Sequence, residues 1–346
     1  MRKNNFSGTI PNTFVKGNSF ETINLNGNGF EGTVPKSLVN CKMLQVLDLG
    51  CNKFSDNFPH WLEKLHSLQV LILRSNKFHG PMPTSKAKFP FLNLRVMDLS
   101  DNYFTGPLPK KYFKNFNAMM NVDEASFKLQ YLSMLRSSTY YCSLTIVIKG
   151  STIEMVKVLT IFTAIDLSKN NFEGEIPEII GRLNSIRGLN LSHNNLAGHI
   201  PASLANSTML EWLDLSSNEL TGKIPQQLRN LISLEVLNLS QNQLVGPIPQ
   251  GNQFDTFLND SYIGNLALCG PPLLNTCNPR TPQPPPLMFQ QEDNTSSGFN
   301  WYVMLPGYGC GLVWGFFMGY LMFTRGKPQW LVRIIEGERN KSRKKF

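Results

Sequence analysis

An asparagine recurs at a regular spacing through most of the chain, and a proline follows each copy seven residues later. The asparagines are Asn4, Asn28, Asn52, Asn76, Asn102, Asn170, Asn194, Asn218 and Asn242. The prolines are Pro11, Pro35, Pro59, Pro83, Pro109, Pro177, Pro201, Pro225 and Pro249. Four residues after the asparagine stands a glycine in eight of the nine copies, and Asp56 replaces it in the other. A 24-residue repeat predicts a solenoid, in which only the stacking of coils buries the apolar side of each coil.

The copy at residues 213–220 shows what each position of the repeat does. Leu213 and Leu215 alternate with polar residues, as a short strand with one buried face requires. The alternation places both leucines in the core and Asp214 on the concave face. Asn218 is expected to turn inward, where its amide can satisfy backbone groups of adjacent coils. The glycine and proline of the repeat then permit a tight turn and an extended convex segment.

The complete unit reads LxLxxNxF/LxGxIP, and it resembles the plant-specific leucine-rich repeat over about three quarters of the chain. The resemblance implies a leucine-rich-repeat solenoid with short parallel strands on the concave face and an irregular or 3-10 convex side. Residues 1–109 form an amino-terminally truncated array of repeats in this interpretation, and residues 161–250 form the last four. Because the repeated positions serve stacking, function is expected where the period breaks.

An uncharged run of 23 residues, Trp301 to Phe323, predicts one transmembrane α-helix. At about 1.5 Å per residue it would span about 34 Å, enough for a bilayer core of about 30 Å. Glu292 and Asp293 precede the run and a cluster of Lys and Arg follows it, and positively charged flanks stay in the cytoplasm. The sequence therefore predicts a single-pass type I protein of the plasma membrane, with extracellular repeats and a short basic tail at 324–346.

The start of the chain departs from this topology. Residues 1–6 already lie inside a repeat, and no apolar segment of signal-peptide type or amino-terminal cap precedes them. A solenoid with an uncapped end exposes core leucines. The chain is therefore expected to be the carboxy-terminal part of a longer receptor, either as a truncated gene product or as a partial sequence.

The longest break in the period lies between Asn102 and Asn170, which are 68 residues apart. One repeat fills part of this distance, and residues 110–160 are interpreted as an inserted island. Near its end, residues 144–148 alternate as a strand does and lead to a Lys-Gly turn. Tyr140, Lys149 and Gly150 match the Y-x8-K-G pattern that resembles the island domain of plant leucine-rich-repeat receptor-like proteins. In that family the island and the last four repeats serve ligand recognition and docking of a co-receptor kinase.

Residues 251–278 are similar to the carboxy-terminal cap of the same family, and that similarity implies a disulfide between Cys269 and Cys277. A bridge across a short loop is how secreted proteins cover such an end. Residues 279–300 are proline-rich and polar, and they are interpreted as an extracellular juxtamembrane stalk. Cys41 is expected to pack in the core. Cys51 is either a free thiol or a partner for Cys142, and the sequence leaves both open.

Four glycines within the predicted membrane helix are spaced by four residues and lie along one stripe. They are Gly307, Gly311, Gly315 and Gly319. Such a stripe lets a second helix approach closely in a membrane. In the resembling family it joins the receptor to an adaptor receptor kinase with leucine-rich repeats.

Six sequons suit a secreted solenoid, although two of them fall on concave strands where a glycan would obstruct binding. Their asparagines are Asn5, Asn190, Asn206, Asn238, Asn259 and Asn294.

Composition and motifs argue against catalysis and nucleic-acid binding. The formal net charge is +9, but residues after Thr324 carry +6 of it, so the rest of the chain is only weakly basic. The five histidines lack the spacing of a metal or nucleophile site. The 23-residue tail cannot hold a kinase, so no enzyme activity, cofactor or metal is expected.

The chain thus resembles the carboxy-terminal portion of a plant receptor-like protein of the disease-resistance kind (Cf, Eix, Ve). The resemblance implies recognition of a pathogen-derived or apoplastic peptide or protein, and signalling through partner receptor kinases. The ligand is expected across concave positions that vary while the leucines do not, with an exposed aromatic beside charges. These positions are Arg74, Asp98, Asp101, Lys169, His193, Glu211, Trp212 and Asp214. Two alternatives stay open: a developmental co-receptor for peptide hormones, and a truncated, non-signalling paralogue that acts as a decoy.

Overall fold

A computed structural model of the protein describes residues 1–120, 144–148, 151–155 and 162–277. These residues all belong to one compact unit, Met1–Thr281, and the second unit, Pro282–Phe346, lies outside them. The predicted membrane span, its glycine stripe and the basic tail therefore fall outside the described residues. None of the helices in the described ranges has the length and apolar character that crossing a bilayer requires.

Twenty short strands run through the described part of the chain. In chain order they are β1 (Ser7–Thr9), β2 (Thr22–Asn24), β3 (Gly29–Gly32), β4 (Val46–Asp48), β5 (Lys53–Phe54), β6 (Val70–Ile72), β7 (His79–Pro81), β8 (Val96–Asp98), β9 (Tyr103–Pro107), β10 (Leu144–Ile148), β11 (Ser151–Met155), β12 (Ala164–Asp166), β13 (Asn171–Glu175), β14 (Gly188–Asn190), β15 (Asn195–His199), β16 (Trp212–Asp214), β17 (Glu219–Gly222), β18 (Val236–Asn238), β19 (Gln243–Pro247) and β20 (Ala267–Cys269).

The strands form stacked parallel sheets, as the repeat predicts. Eight of them build the concave sheet in the order β18-β16-β14-β12-β8-β6-β4-β2. The segments after each asparagine form a lateral seven-stranded sheet, β20-β19-β17-β15-β13-β9-β7, and a three-stranded one, β1-β3-β5. In the concave sheet Leu213 lies in register with Leu189 and Leu237, so equivalent leucines stack from coil to coil. We number the coils 1 to 9 by their asparagines, from Asn4 to Asn242.

The convex side is built mainly of 3-10 turns, each preceded by the proline of the repeat except at the last coil. They span Lys36–Asn40, His60–Lys64, Glu178–Arg182, Ala202–Asn206, Gln226–Asn230 and, near the end, Asn252–Thr256 and Asn259–Ser261. Coil 5 differs, with two short α-helices, α1 (Lys110–Phe113) and α2 (Asn117–Met120). Pro177, Pro201 and Pro225 have φ between −60° and −72°, the value a proline ring fixes, so the chain enters each turn in a set direction.

The core is one continuous stack of apolar side chains. In coils 1 to 6 a phenylalanine stands two residues after the asparagine, and the rings of successive coils stack with their centroids 6.0–6.4 Å apart. Buried Leu196, Leu220 and Leu244 take this position in coils 7 to 9. Deletion of one stacked ring would leave a cavity against both neighbouring coils.

The asparagines form the predicted internal ladder. The side-chain amide of Asn218 donates to the carbonyl oxygens of Leu191, Leu215 and Ser216, each at 3.1 Å. Its side-chain oxygen accepts the backbone N–H of Leu196, also at 3.1 Å. One side chain therefore pairs backbone groups in its own coil and in the preceding coil, and each of the three carbonyls accepts a second hydrogen bond from another residue.

The insertion does not interrupt this stack. The amide of Asn170 donates to the carbonyl of Leu99 at 3.0 Å, across 71 residues of sequence, and its oxygen accepts the N–H of Phe104 at 3.0 Å. Strand β8 pairs directly with β12, so coil 5 and coil 6 are neighbours as any other two coils are.

Residues 110–120, which the sequence analysis included in the insertion, pack in coil 5. Helix α1 and the segment that follows belong to coil 5, because Tyr112, Phe113, Phe116 and Met119 are buried in the main core. Within the insertion, β10 and β11 form an antiparallel pair on either side of residues 149 and 150, where the Lys-Gly turn was predicted.

A tenth ladder residue, which the 24-residue spacing does not predict, lies at the carboxy-terminal end of the solenoid. Asn265 lies 23 residues after Asn242, and its amide donates to the carbonyls of Leu239 and Tyr262 at 2.9 and 2.8 Å. The following strand, β20, pairs with β19. The sulfur atoms of Cys269 and Cys277 are bonded, with their Cα atoms 5.1 Å apart.

Replacement of Asn218 by Leu is expected to destabilise the solenoid. The substitution keeps the branched shape of the side chain but leaves the Leu196 N–H without its side-chain acceptor. It also removes one donor from each of three carbonyls, which keep a second donor from Asn194, Asn242 or His193. The net contribution of each lost hydrogen bond is about 1 kcal/mol. We expect a loss of roughly 3 kcal/mol or more, measured as faster limited proteolysis of the full chain on warming. Asn171→Leu is the matched control, because Asn171 is exposed. Equal proteolysis rates for the two variants would contradict the role of the ladder.

Candidate functional site on the concave face

Three columns of side chains run across the concave face, and each column contains the residues at one position of the repeat. The first column is apolar, although the sequence analysis expected polar residues on this face. Val46, Val70, Val96 and Trp212 begin their strands and form a second buried cluster, apart from the main core. This column has no counterpart in the leucine pattern, so the sequence analysis did not find it.

Trp212 is buried and not exposed as the sequence analysis expected. Only 5% of its surface is accessible, and its ring stacks on Phe162 with the centroids 5.8 Å apart. The ring also lies flat against Gly188, where a Cβ would come within 1.7 Å of it. The tryptophan therefore needs glycine in the adjacent coil, and it presents little surface to a ligand.

In coils 5 to 9 the second column consists of aspartate and asparagine residues that accept hydrogen bonds from the serine two positions later. In coils 2 and 3, Asn24 and Asp48 accept the N–H of Asn26 and Gly50 instead. Asp98 accepts the N–H and the hydroxyl of Ser100 at 3.1 and 2.6 Å. The same pair of bonds joins Asp214 to Ser216 at 3.0 and 2.6 Å. Asp98 is only 1% exposed, so it stabilises the coil and is not accessible to a ligand, contrary to the prediction. The recurring D/N-L-S triplets were a signal for this arrangement.

This column is broken in coil 4, where Ile72 and Arg74 replace the acidic residue and the serine. The Arg74 side chain lies against Gly50 of coil 3, where a Cβ would be 3.0 Å from its Cγ. Within the described residues, Nε and Nη1 of Arg74 and Oδ2 of Asp48 and of Asp98 are buried without a hydrogen bond. Polar atoms of Arg74, Asp48 and Asp98 that lack a hydrogen bond thus lie under the concave surface at coils 3 to 5, where the Arg74 charge offsets that of Asp98.

Burial dominates the electrostatics of this region. It raises the pKa of Asp48 to about 6, although the Gly50 N–H and the Asn26 amide oppose the rise. Burial and the negative charge of Asp98 raise the pKa of Asp166 to about 7, against the hydrogen bonds from Ser168. Burial also raises the pKa of Asp98 despite the nearby Arg74 charge.

The third column is the one that faces solvent. Asp101, Lys169 and His193 immediately precede the ladder asparagines, are exposed, and have φ of 56°, 52° and 54°. This left-handed conformation, rare for residues other than glycine, turns their side chains out of the coil. Cys51 occupies the same position in coil 3 and is an exposed free thiol.

The remaining members of the predicted ligand set are partly buried. Arg74 and Asp214 are half-buried, and Glu211 forms an ion pair with Arg187, their side chains 29% and 28% exposed. The structure therefore leaves Asp101, Lys169 and His193 as the predicted positions most accessible to a ligand, on the adjacent coils 5, 6 and 7.

The other predicted sites are placed as follows. Asn5, Asn206 and Asn259 are exposed, whereas the side-chain oxygens of Asn190 and Asn238 accept hydrogen bonds from the serines that complete their sequons. The N-L-S sequons at 190 and 238 are thus also instances of the second column. Tyr140, Lys149, Gly150, Cys142, Cys310 and Asn294 lie outside the described residues. In the described ranges, no group of His, Cys, Asp or Glu could hold a metal ion.

Comparison with known proteins agrees with this geometry. Two family models described as leucine-rich repeat match residues 18–78 and residues 93–114, 162–183, 185–207, 209–231 and 233–264, together just over half of the chain. "Receptor-like protein 9DC3" of Solanum pimpinellifolium is 54% identical over 246 residues, which is 70% of this chain. The chain belongs to the plant leucine-rich-repeat receptor-like proteins. The match covers 28% of the length of that relative, so this receptor-like chain corresponds to a part of it.

Two solved structures resemble the receptor-like chain in fold. The ectodomain of the receptor kinase GASSHO1/SCHENGEN3 from Arabidopsis thaliana, in complex with CASPARIAN STRIP INTEGRITY FACTOR 2, has a TM-score of 0.56 and 29% identity. That match covers 80% of this chain and 30% of the other. The Arabidopsis receptor kinase HAESA, in complex with the peptide hormone IDA and the co-receptor SERK1, has a TM-score of 0.52 and 28% identity, covering 77% and 41%.

The raised pKa of Asp166 predicts a pH-dependent stability. The folded protein binds this proton more tightly than the unfolded chain. The stability that the group contributes is therefore fully present below pH 3.8, its ordinary pKa, and is lost as pH rises to about 7. Asp166→Asn, which copies Asn190 and Asn238, is expected to raise the melting temperature at pH 8 and to raise it less at pH 5. Asp214→Asn is the control, because Asp214 is half-buried. An equal increase in the melting temperature of Asp166→Asn at pH 5 and pH 8 would contradict the prediction.

Proposed function

We propose that the chain is part of a receptor-like protein without a kinase, which binds a pathogen-derived or apoplastic peptide or protein on its concave face and signals in plant immunity through partner receptor kinases. The observation that carries this proposal is the exposed column of Asp101, Lys169 and His193 on three adjacent coils. The left-handed backbone recurs at this position in other coils, at Ser75, Ser217 and Gln241, so the scaffold presents the column and the charged side chains distinguish coils 5 to 7.

The spacing of this column suits an extended peptide. Strands β8, β12 and β14 are neighbours, and parallel strands lie about 4.8 Å apart. The three side chains therefore cover about 10 Å, the length of about three extended residues. They change from acidic to basic to imidazole, so a ligand with a complementary order of charges would be selected in one direction.

The structural relatives support two general parts of the proposal: that the ligand is a peptide and that the partner is a kinase. The GASSHO1/SCHENGEN3 and HAESA structures are ectodomains bound to CASPARIAN STRIP INTEGRITY FACTOR 2 and to the peptide hormone IDA, and the second also holds a co-receptor. The same observation favours the second candidate, a developmental co-receptor for a peptide hormone. The immune role rests on the similarity to Receptor-like protein 9DC3 and to a Cf-9 homologue.

The membrane arrangement is part of the proposal. Residues 301–323 would cross the plasma membrane once, with the solenoid outside and residues 324–346 in the cytoplasm. The island and the last four repeats would dock a co-receptor kinase, and the glycine stripe would hold an adaptor kinase.

Charge changes in the exposed column are expected to abolish ligand capture. Asp occupies this left-handed position in coil 5, so Lys169→Asp with His193→Asp should fold while reversing the local charge. The full chain, given a signal peptide, would be expressed in plant cells and crosslinked to peptides from apoplastic fluid. We expect recovery of a specific peptide from infected plants to fall about tenfold or more, measured by mass spectrometry.

The matched control is Arg182→Glu with Arg229→Glu, which changes two exposed basic residues at the convex turns. Loss of capture in the convex pair and not in the concave pair would overturn the proposed face. Equal capture from healthy and infected plants would favour the developmental role.

The glycine stripe is expected to hold the adaptor kinase. Gly311→Leu with Gly315→Leu adds bulk where two helix backbones would touch, while leucine remains compatible with the membrane. Co-precipitation of a receptor kinase from plant cells should fall, and membrane location should not. Gly309→Leu is the control, since residue 309 lies off the stripe. Undiminished recovery with the double variant would exclude the stripe as the docking surface.

A further inference from the structure

A cleft of about 990 Å³ lies where the convex segments of coils 4 and 5 meet coils 6 and 7, away from the concave columns. One wall is basic and the floor is aliphatic. The lining lysines are Lys86, Lys88, Lys110, Lys111 and Lys114, and the floor is formed by Ile176, Pro177, Ile179, Ile200 and Pro201. Its volume is at the upper end of the range of about 300–1,000 Å³ for ligand pockets, more than a single small anion needs.

The cleft exists because the convex path is irregular in two successive coils. Asn76 and Asn102 are 26 residues apart and not 24, so coil 4 has two additional residues. No helix follows Pro83 in this coil, and the chain from residue 84 to 89 carries Lys86 and Lys88 as bends and loop. Coil 5 then enters helix α1 in place of a 3-10 turn, which adds three lysines to the same wall.

The basic wall is held in place from below. Tyr112 and Phe113 on α1 are buried, and the Tyr112 hydroxyl donates to buried Glu63 at 3.2 Å. The Tyr112 ring lies 5.5 Å from the ring of Phe91. Lys111 donates to the backbone carbonyl of Ser85, which ties the loop of coil 4 to the helix. The wall is thus organised before any ligand binds, which lowers the entropic cost of binding.

The charges of the wall are not compensated locally. Among the described residues, the ammonium groups of Lys86, Lys110 and Lys114 make no ion pair and no hydrogen bond. With five lysines against Glu175 and Glu178, the cleft carries a net charge of +3. Like charges held close together repel each other and destabilise the fold. An anionic partner bound between the lysines would relieve this repulsion.

A second cleft of similar shape shows that the repeat produces clefts on this side of the solenoid, whereas the positive charge of the first cleft is not a property of the repeat. It lies at the equivalent positions of coils 1 to 4 and has a volume of about 980 Å³. Its floor has the same character, with Val34, Pro35 and Phe58. In the described part of its lining, the charged residues are Lys36 and Asp56, apart from His60. The lysine wall is therefore specific to coils 4 and 5.

We propose that the lysine-walled cleft binds an acidic segment of a partner polypeptide whose carboxylates alternate with aliphatic side chains. Carboxylates would pair with Lys86, Lys110 and Lys114, and aliphatic side chains would pack on the isoleucine and proline floor. Among the lining residues that the structure describes there is no phenylalanine, tyrosine or tryptophan, the flat side chains on which sugar rings stack, so a peptide fits better than an anionic carbohydrate. This site is independent of the concave face and of its ligand.

The test uses the purified full chain in a mild nonionic detergent and three fluorescent probes measured by anisotropy. The first is a twelve-residue peptide of alternating Glu and Leu, the second has Ser in place of Leu, and the third is an oligogalacturonate of similar charge. We expect the Glu-Leu peptide to bind most tightly, and its affinity to fall when salt is raised from 0.05 to 0.5 M. Equal or tighter binding of the oligogalacturonate would overturn the assignment to a peptide.

The lysines are tested by a charge-matched pair of variants. The cleft variant carries Lys86→Glu, Lys110→Glu and Lys114→Glu, and we expect it to bind the Glu-Leu peptide about tenfold more weakly or worse. The control variant carries Lys16→Glu, Lys42→Glu and Lys53→Glu, which make the same change of charge on exposed residues elsewhere. A peptide with Lys in place of Glu should bind the cleft variant better than the parent, which misfolding could not produce. Equal weakening by both variants, or failure of this exchange, would overturn the site.

Discussion

The inward-facing asparagine is the interaction on which the rest of the structure depends. Each one satisfies backbone carbonyls in two successive coils and receives an N–H from the coil before. The same carbonyls accept a second hydrogen bond from the neighbouring asparagine or from a backbone N–H, so the ladder joins each coil to both of its neighbours. The leucines and phenylalanines supply the apolar drive for stacking, but the ladder fixes how far each coil is turned and shifted against the next. The ladder therefore also sets the alignment of the three columns on the concave face.

The scaffold could be predicted from the sequence because its signals are local and repeated. The alternation around Leu213 and the offset from asparagine to proline reappear in coil after coil, so an error at one coil would conflict with the others. Helix α1 shows the limit of this reasoning. The distance between Asn102 and Asn170 placed it in the insertion, yet Phe113 and Phe116 are core residues of coil 5. The repeat pattern could not show this, because that coil departs from the usual convex sequence.

The candidate site could be predicted less well, since it depends on contacts between coils. Trp212 alternates with leucine as an exposed residue would, and only its fit against Gly188 and Phe162 hides it. Asp98 looks like a surface charge until its two bonds to Ser100 are seen. Conversely, Asp101, Lys169 and His193 are exposed because of a left-handed backbone, which no single residue signals. The lysine cleft combines residues from four coils and has no contiguous motif.

The direct pairing of coil 5 with coil 6 has a consequence for how this chain can change in evolution. The two ends of the insertion return to fixed points, since Met119 accepts a hydrogen bond from Ser185 at 2.9 Å and β12 resumes the concave sheet at Ala164. The entropy of closing such a loop rises only by about 0.6 kcal/mol for each doubling of its length. The inserted segment can therefore be exchanged, lengthened or shortened as a cassette while the coils on both sides keep their register. Recognition could diversify at this point with little risk to folding.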